Sequence, residues 1–210
     1  MADLTIAGRM RRGRLDRHLD LTIPAGVTAI TGANGIGKTS LLRVIAGLDA
    51  LAAGELVLDG TVLDRPATHH FVAAEHRDVA YAFQEPRLFP HLSALDNLAY
   101  PLRRQGRAAG VAREDAARIG EQLGLGPVLG SRPRNLSGGQ AQRVNIGRAL
   151  AAGAGTLLLD EPLASIDDAS RRDLRELVAS VATTRIVWVT HDPDDLLHAD
   201  EVISLTGLDS

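Results

Sequence analysis

The sequence predicts an α/β fold with a parallel-sheet core, an antiparallel β subdomain and an inserted helical subdomain. Three observations predict it. A β-branched run, Val27 to Thr31, passes into a glycine loop and then into a helical pattern. Two further runs, Thr156 to Leu159 and Arg185 to Thr190, are continuously apolar, as strands buried on both faces are. From about residue 85 to 151 the apolar spacing turns helical.

Each element follows in order. Leu4 to Ala7 and Leu19 to Ile23 read as antiparallel strands around a polar, glycine-containing connection. Val27 to Thr31 is a buried strand, and Thr39 to Leu48 a helix with Gly47 near its end. Glu55 to Leu63 forms a hairpin around Asp59-Gly60, and Val79 to Phe83 is a short strand. Ser93 is placed to cap a helix over Leu95 to Arg104, a charged helix follows from Arg113 to Leu123, and Arg171 to Ala182 is helical between the last two strands. The predicted domains are therefore an α/β core, residues 1–84 and 152–210, and a helical subdomain, residues 85–151.

Composition narrows the function. The 210 residues are 45% hydrophobic, enough for a sizeable core, and no window approaches the roughly 20 apolar residues of a bilayer span. The N-terminus lacks the apolar core of a signal peptide, and with no cysteine there are no disulfides or thiolate metal sites. A net charge of -3 gives no global pull toward nucleic acid, and none is expected as a partner. Arg9, Arg11, Arg12, Arg14 and Arg17 crowd one segment, read as a solvated hairpin for want of interleaved aromatics.

The chemistry lies in four places. Gly32-Ala33-Asn34-Gly35-Ile36-Gly37-Lys38-Thr39, followed by Ser40, matches G-x-x-x-x-G-K-[ST] in its strand-loop-helix context. Small residues let backbone N–H groups approach phosphates, Lys38 adds a point charge, and Thr39 offers a hydroxyl to Mg²⁺. Leu157-Leu158-Leu159-Asp160-Glu161-Pro162 puts two carboxylates at the carboxyl end of a buried strand. Alternation aims them apart, so Asp160 can hold the metal's water shell while Glu161 reaches an attacking water. Gln84 and His191 each follow a strand and suit the γ phosphate. Leu136-Ser137-Gly138-Gly139-Gln140 supplies a hydroxyl, flexible glycines and a helix N-terminus starting near Gly139; it reads as an anion site or as a helix-capping turn.

These residues resemble the nucleotide-binding subunits of ABC transporters over nearly the whole chain. Gly32 to Thr39 look like the Walker A motif, Gln84 the Q-loop, Leu136 to Gln140 the signature, Leu157 to Glu161 the Walker B, Leu163 to Asp167 the D-loop and His191 the H-loop. The resemblance implies a P-loop NTPase (RecA-like) core and an ATPase using ATP and Mg²⁺. It makes Glu161 the catalytic carboxylate, His191 its support at the γ phosphate, and Gln84 the link from metal and water to a transmembrane partner. It implies a homodimer in which Ser137, Gly138 and Gly139 bind the γ phosphate of the other subunit's nucleotide, with Asp167 at that interface.

Gln84 to Leu92 looks like the segment that importer ATPases use to receive a permease. Several stretches, among them Arg87 to His91 and Asp160 to Ser165, are most similar to molybdate-importer ATPases. The implied setting is the cytoplasmic face of the membrane, peripheral through the permease, with a solute-binding protein in the full system. ABC ATPases of membrane-remodelling, lipoprotein-release or non-transport complexes share the same chemistry and are the competing readings.

Three departures from the family pattern carry expectations. The first aromatic is Phe71, so the usual stack on adenine is absent and Arg9, Arg11 or Arg12 would lie over the base. No regulatory β domain is expected after Glu201 to Leu205, and with it no direct inhibition by accumulated substrate. The D-loop reads Ala164-Ser165-Ile166-Asp167 where Ser-Ala-Leu-Asp is common. His69, His70 and His76 have no regular ligand spacing and read as a loop, and Trp188 reads as core.

Overall fold

The computed structural model describes residues 3–163, 166, 168–180 and 185–206. They fall into two units.

The first unit holds the described residues of 1–79, 155–160 and 181–210. Strands β1 (Leu4–Arg12) and β2 (Leu15–Ile23) form a hairpin in continuous register, Leu4 opposite Ile23 and Arg12 opposite Leu15. Alternate residues, Leu4, Ile6 and Met10 against Leu19, Leu21 and Ile23, are buried, as one-sided antiparallel strands require. The strands run past the predicted apolar cores into the arginine-rich segment, where Arg9, Arg11, Arg12 and Arg14 are exposed; Arg17 is buried and donates to Leu205 O at 2.6 Å.

β3 (Val27–Thr31) leads through the glycine loop into α1 (Lys38–Ile45). β4 (Ala53–Leu58), β5 (Thr61–Arg65) and β6 (His70–Phe71) complete the antiparallel sheet, in order β2-β1-β4-β5-β6. Asp59 and Gly60 have φ of 50° and 79°, the left-handed pair of a two-residue hairpin turn. β7 (Val79–Ala82) starts in this unit and continues in the second.

β8 (Thr156–Asp160), β9 (Arg185–Val189) and β10 (Glu201–Ser204) join β3 in a parallel sheet in the order β10-β3-β9-β8. Every residue of β8 and β9 is buried, Trp188 among them. Register brings Thr31, Asp160 and Val189 to one edge, the carboxyl ends of neighbouring strands. Helix α1 packs on β1 of one sheet and on β8 and β9 of the other.

Two more buried arginines brace this unit. Arg185 donates to Pro24 O at 3.1 Å and Asp59 Oδ1 at 2.9 Å. Arg77 donates to the carbonyls of Val44 and Ile45 at 2.7 and 2.9 Å, satisfying the last turn of α1. Burial pushes the Arg77 guanidinium down, and Asp64 opposes that.

The second unit holds the described residues of 80–154 and 161–180, with helices α2 (Ala94–Arg104), α3 (Ala109–Gln122), α4 (Gly138–Ala151) and α5 (Asp168–Ser180). Ser93 caps α2, accepting from Asp96 N at 3.0 Å. Helix α3 begins before the predicted Arg113 because Ala112, Ala116 and Gly120, spaced four apart, make its buried face. Helix α2 packs on α3 and α4. Among the described residues, no helix is long and apolar enough to cross a membrane.

Candidate functional site

The first unit gathers the phosphate loop, Asp160 and His191. Gly32, Gly35 and Gly37 take φ of 140°, 78° and 112°, open to glycine and strained for other residues. Gly37 also lies against the hairpin: a Cβ there would come 3.1 Å from Leu15 Cδ2 and 3.2 Å from Met10 Cε. Ala33, Asn34 and Gly35 are exposed. Lys38 Nζ folds back over the loop, donating to Gly32 O at 2.8 Å and Ala33 O at 3.2 Å. Gly37 gives α1 no side-chain cap, which leaves its first-turn N–H groups to an anion.

Thr39 Oγ1 donates to Asp160 Oδ1 at 3.2 Å. Asp160 is buried at the end of β8, so a hydroxyl and a carboxylate meet beside the loop. Two hard oxygen donors at the mouth of a phosphate cradle suit Mg²⁺, which takes few protein ligands and shares the rest with phosphates and water.

His191 is exposed one residue beyond Thr190. Thr190 Oγ1 bonds to the Asp195 carboxylate and accepts from Asp192 N at 3.1 Å, fixing the turn that presents His191. His191 shares an open cavity of about 560 Å³ with Thr31, Gly32, Ala33 and Asn34.

In the second unit, Gln84 Nε2 donates to Glu161 Oε2 at 3.1 Å. Glu161 has φ 46°, a left-handed conformation that costs a non-glycine residue about 1–2 kcal/mol.

Ser137 caps α4 in a reciprocal box: Gln140 N donates to Ser137 Oγ at 3.2 Å and Ser137 N to Gln140 Oε1 at 2.9 Å. The helix starts at Gly138. The cap uses the serine oxygen as acceptor and leaves its O–H to donate, so serving as a cap does not exhaust the hydroxyl. Gly138 is exposed, and a Cβ on it would meet nothing within 4 Å. Ala164, Ser165 and Asp167 lie outside the described residues, while Arg171 Nε donates to the flanking carbonyls of Leu163 and Ile166 at 3.2 and 2.9 Å.

The segment from Gln84 to Leu92 is held by polar residues that sequence reasoning missed. Asn97 accepts from Phe89 N at 2.8 Å and donates to Ser93 O at 2.9 Å; Asn145 donates to Phe83 O and Arg148 to Arg87 O, each at 2.7 Å. Burial pushes the Arg148 guanidinium down. The available signal is polarity inside apolar helices; their acceptors are carbonyls, which have no side-chain signature. Pro90, His91 and Tyr100 stay exposed, and the Phe89 and Tyr100 rings sit 4.5 Å apart.

A family model described as ABC transporter matches residues 17–164. The chain belongs to that family. Among curated relatives, the molybdenum import ATP-binding protein ModC of Rhizobium meliloti (strain 1021) is 43% identical over 194 residues, 90% of this chain and 53% of the relative. ModC of Paramagnetospirillum magneticum (strain ATCC 700264 / AMB-1) is 38% identical over 208 residues, 98% of this chain and 56% of the relative. The chain thus spans about half the length of these relatives. Among solved structures, the ATP-binding cassette MJ0796, dimeric in a post-hydrolysis state with ADP and Pi, superposes with a TM-score of 0.84 at 26% identity, covering 97% of this chain and 94% of that one. The α/β architecture with one antiparallel and one parallel sheet is that of an ABC cassette.

Proposed function

We propose that this ABC-family chain is the ATP-binding and ATP-hydrolysing subunit of an importer, powering uptake of molybdate through a partner permease. The observation that carries the ATPase reading is the phosphate loop with Thr39 and Asp160 bonded at 3.2 Å beside it. The importer and molybdate readings are supported by identity of about 40% to ModC proteins over most of the chain.

The residues have distinct tasks. The N–H groups of Gly32 to Thr39, with Ser40 behind them, cradle the phosphates. Lys38 exchanges its two carbonyl acceptors for phosphate oxygens. Thr39 and Asp160 would hold Mg²⁺, with Gln84 as a further ligand, and the ion when bound would supply charge neutralisation at the phosphates. Glu161 orients water and takes its proton, Gln84 holds the Glu161 carboxylate, and His191 supports the γ phosphate. Ser137, Gly138, Gly139 and Gln140 meet the nucleotide of a second copy, with Asp167 at that interface. Closure follows ATP because the joined half-sites bind it better than the separated ones.

The exposed stretch beside Gln84, anchored through Asn97 and Arg148, receives the permease and holds the chain at the membrane's cytoplasmic face. Hydrolysis of Mg·ATP across protein concentration, beside Glu161→Gln and Ser137→Arg, tests this reading. Activity rising more than linearly and lost in both variants is expected. Activity linear in protein and indifferent to Ser137→Arg would overturn the composite site.

A further inference from the structure

Helix α4 is tied to the strand exit that carries Gln84. Asn145 is wholly buried in α4 and donates from Nδ2 to Phe83 O at 2.7 Å. That carbonyl belongs to the peptide leading into Gln84, whose side-chain amide donates to Glu161 Oε2 at 3.1 Å. One turn further along α4, Arg148 donates to Arg87 O at 2.7 Å and lies 5.4 Å from the Phe89 ring centroid, a second tether on the same segment.

A buried amide in a helix is costly unless paired. Asn145 has its shortest bond to the Phe83 carbonyl, at 2.7 Å; within α4 it also donates to Gln142 Oε1 at 3.5 Å and accepts from Arg148 Nη2 at 3.4 Å. At the other end of the helix Ser137 and Gln140 lock the first turn. Eight residues separate Ser137 from Asn145, about 12 Å of unbroken helix at 1.5 Å per residue. A rigid rod of that length moves both ends together.

We propose that Asn145 is a positioning residue: it ties the placement of Gln84, and through it the Glu161 carboxylate, to the pose of α4, so that a phosphate engaging Ser137 to Gly139 re-aims Glu161. The relay rests on the ATPase reading above; the tether itself does not.

Amide hydrogen exchange over residues 84–88 without nucleotide reads the tether. Asn145→Leu, similar in volume but unable to donate, should speed exchange there on the order of tenfold. Unchanged exchange overturns the tether. Hydrolysis by Asn145→Leu, Gln84→Ala and the double variant reads the relay. The expected result is a kcat loss on the order of tenfold in Asn145→Leu with KM for ATP unchanged, and no added loss in the Gln84→Ala background. Losses that multiply would reduce Asn145 to a structural residue. Asn145→Ala serves the same cycle should the leucine variant not fold. A wild-type chain without hydrolysis would remove the ATPase reading and the relay with it, and the exchange arm would still decide the tether.

Discussion

Thr39 Oγ1 donates to Asp160 Oδ1 at 3.2 Å, joining the first turn of α1 to the last residue of β8. Asp160 reaches this point because Val189 pairs with it in the parallel sheet and β8 is buried throughout. Replacing the carboxylate by an amide preserves size and removes charge. Asp160→Asn is expected to raise the Mg²⁺ concentration for half-maximal hydrolysis about ten- to hundredfold while leaving the fold intact. A metal titration of activity, with far-UV circular dichroism alongside, checks it.

Glu161 stands one residue further on, turned by its φ of 46° and held by Gln84. Removing its charge should lower hydrolysis about 10²- to 10⁴-fold, the range for a lost general base, with ATP binding retained. Equilibrium titration with a fluorescent ATP analogue separates the two. Wild-type turnover in Glu161→Gln would mean that another group takes the proton.

Backbone crowding gives a stability prediction. Gly54 of β4 faces Gly8 of β1, and a Cβ on Gly54 would fall 2.2 Å from Ala7 O and 2.3 Å from Gly8 Cα, at φ 93°. Those atoms are main chain and cannot rotate away. Gly13, at φ 59° in the hairpin turn, has nothing within 4 Å of its Cβ position. Gly13→Ala should therefore cost about 1 kcal/mol, the left-handed penalty alone, and Gly54→Ala upward of about 3 kcal/mol. Urea denaturation of the two variants reads the difference.

Asp49 gives a pH dependence of known sign. Hydrogen bonds from Arg43 at 2.7 and 3.0 Å, with Arg12 adding charge, hold its carboxyl below the usual aspartate range. On acidification the unfolded chain takes up this proton before the folded one does, so the contribution is full at neutral pH and is lost below about pH 4. Asp49→Asn should cost about 0.2–1 kcal/mol at pH 7, the range for a solvent-touched pair, and less than that at pH 3. Paired denaturation curves at the two pH values test this.

What was legible in the chain follows from burial. β3, β8 and β9 show in sequence because strands covered on both faces must be continuously apolar, and the Asp59-Gly60 turn shows because few residues tolerate two left-handed positions. β10 does not: Glu201, Val202 and Ser204 are exposed, so its pairing with β3 rests on backbone bonds and leaves no apolar pattern. The glycine loop and the Asp160-Glu161 pair are legible as motifs, whereas Asn145 and Arg148 bond to carbonyls distant in sequence and become readable only once α4 is placed; Asn97 bonds locally, to the carbonyls of Phe89 and Ser93, and shows only once α2 has its start. A helix-capping turn at Ser137 was legible in the sequence, while the reciprocal bond with Gln140 shows only with the helix start at Gly138.

Base selectivity is the last consequence of that hairpin and loop. Gly37 packs under Leu15 and Met10, so the side chains next to the phosphate loop come from the turn of β1 and β2. None there is aromatic, the first being Phe71. Arg9 and Arg11 direct their guanidinium edges at Asp16, at 2.6 and 2.8 Å, and Arg12 reaches Asp49 at 3.6 Å. A guanidinium paired along its edge still offers a face for stacking, and stacking does not tell an amino from an oxo purine. ATP should therefore be preferred over GTP by less than tenfold, about 1.4 kcal/mol. Competition of each nucleotide against a fluorescent ATP analogue measures the ratio; a hundredfold preference for ATP would require a base-reading group outside this hairpin.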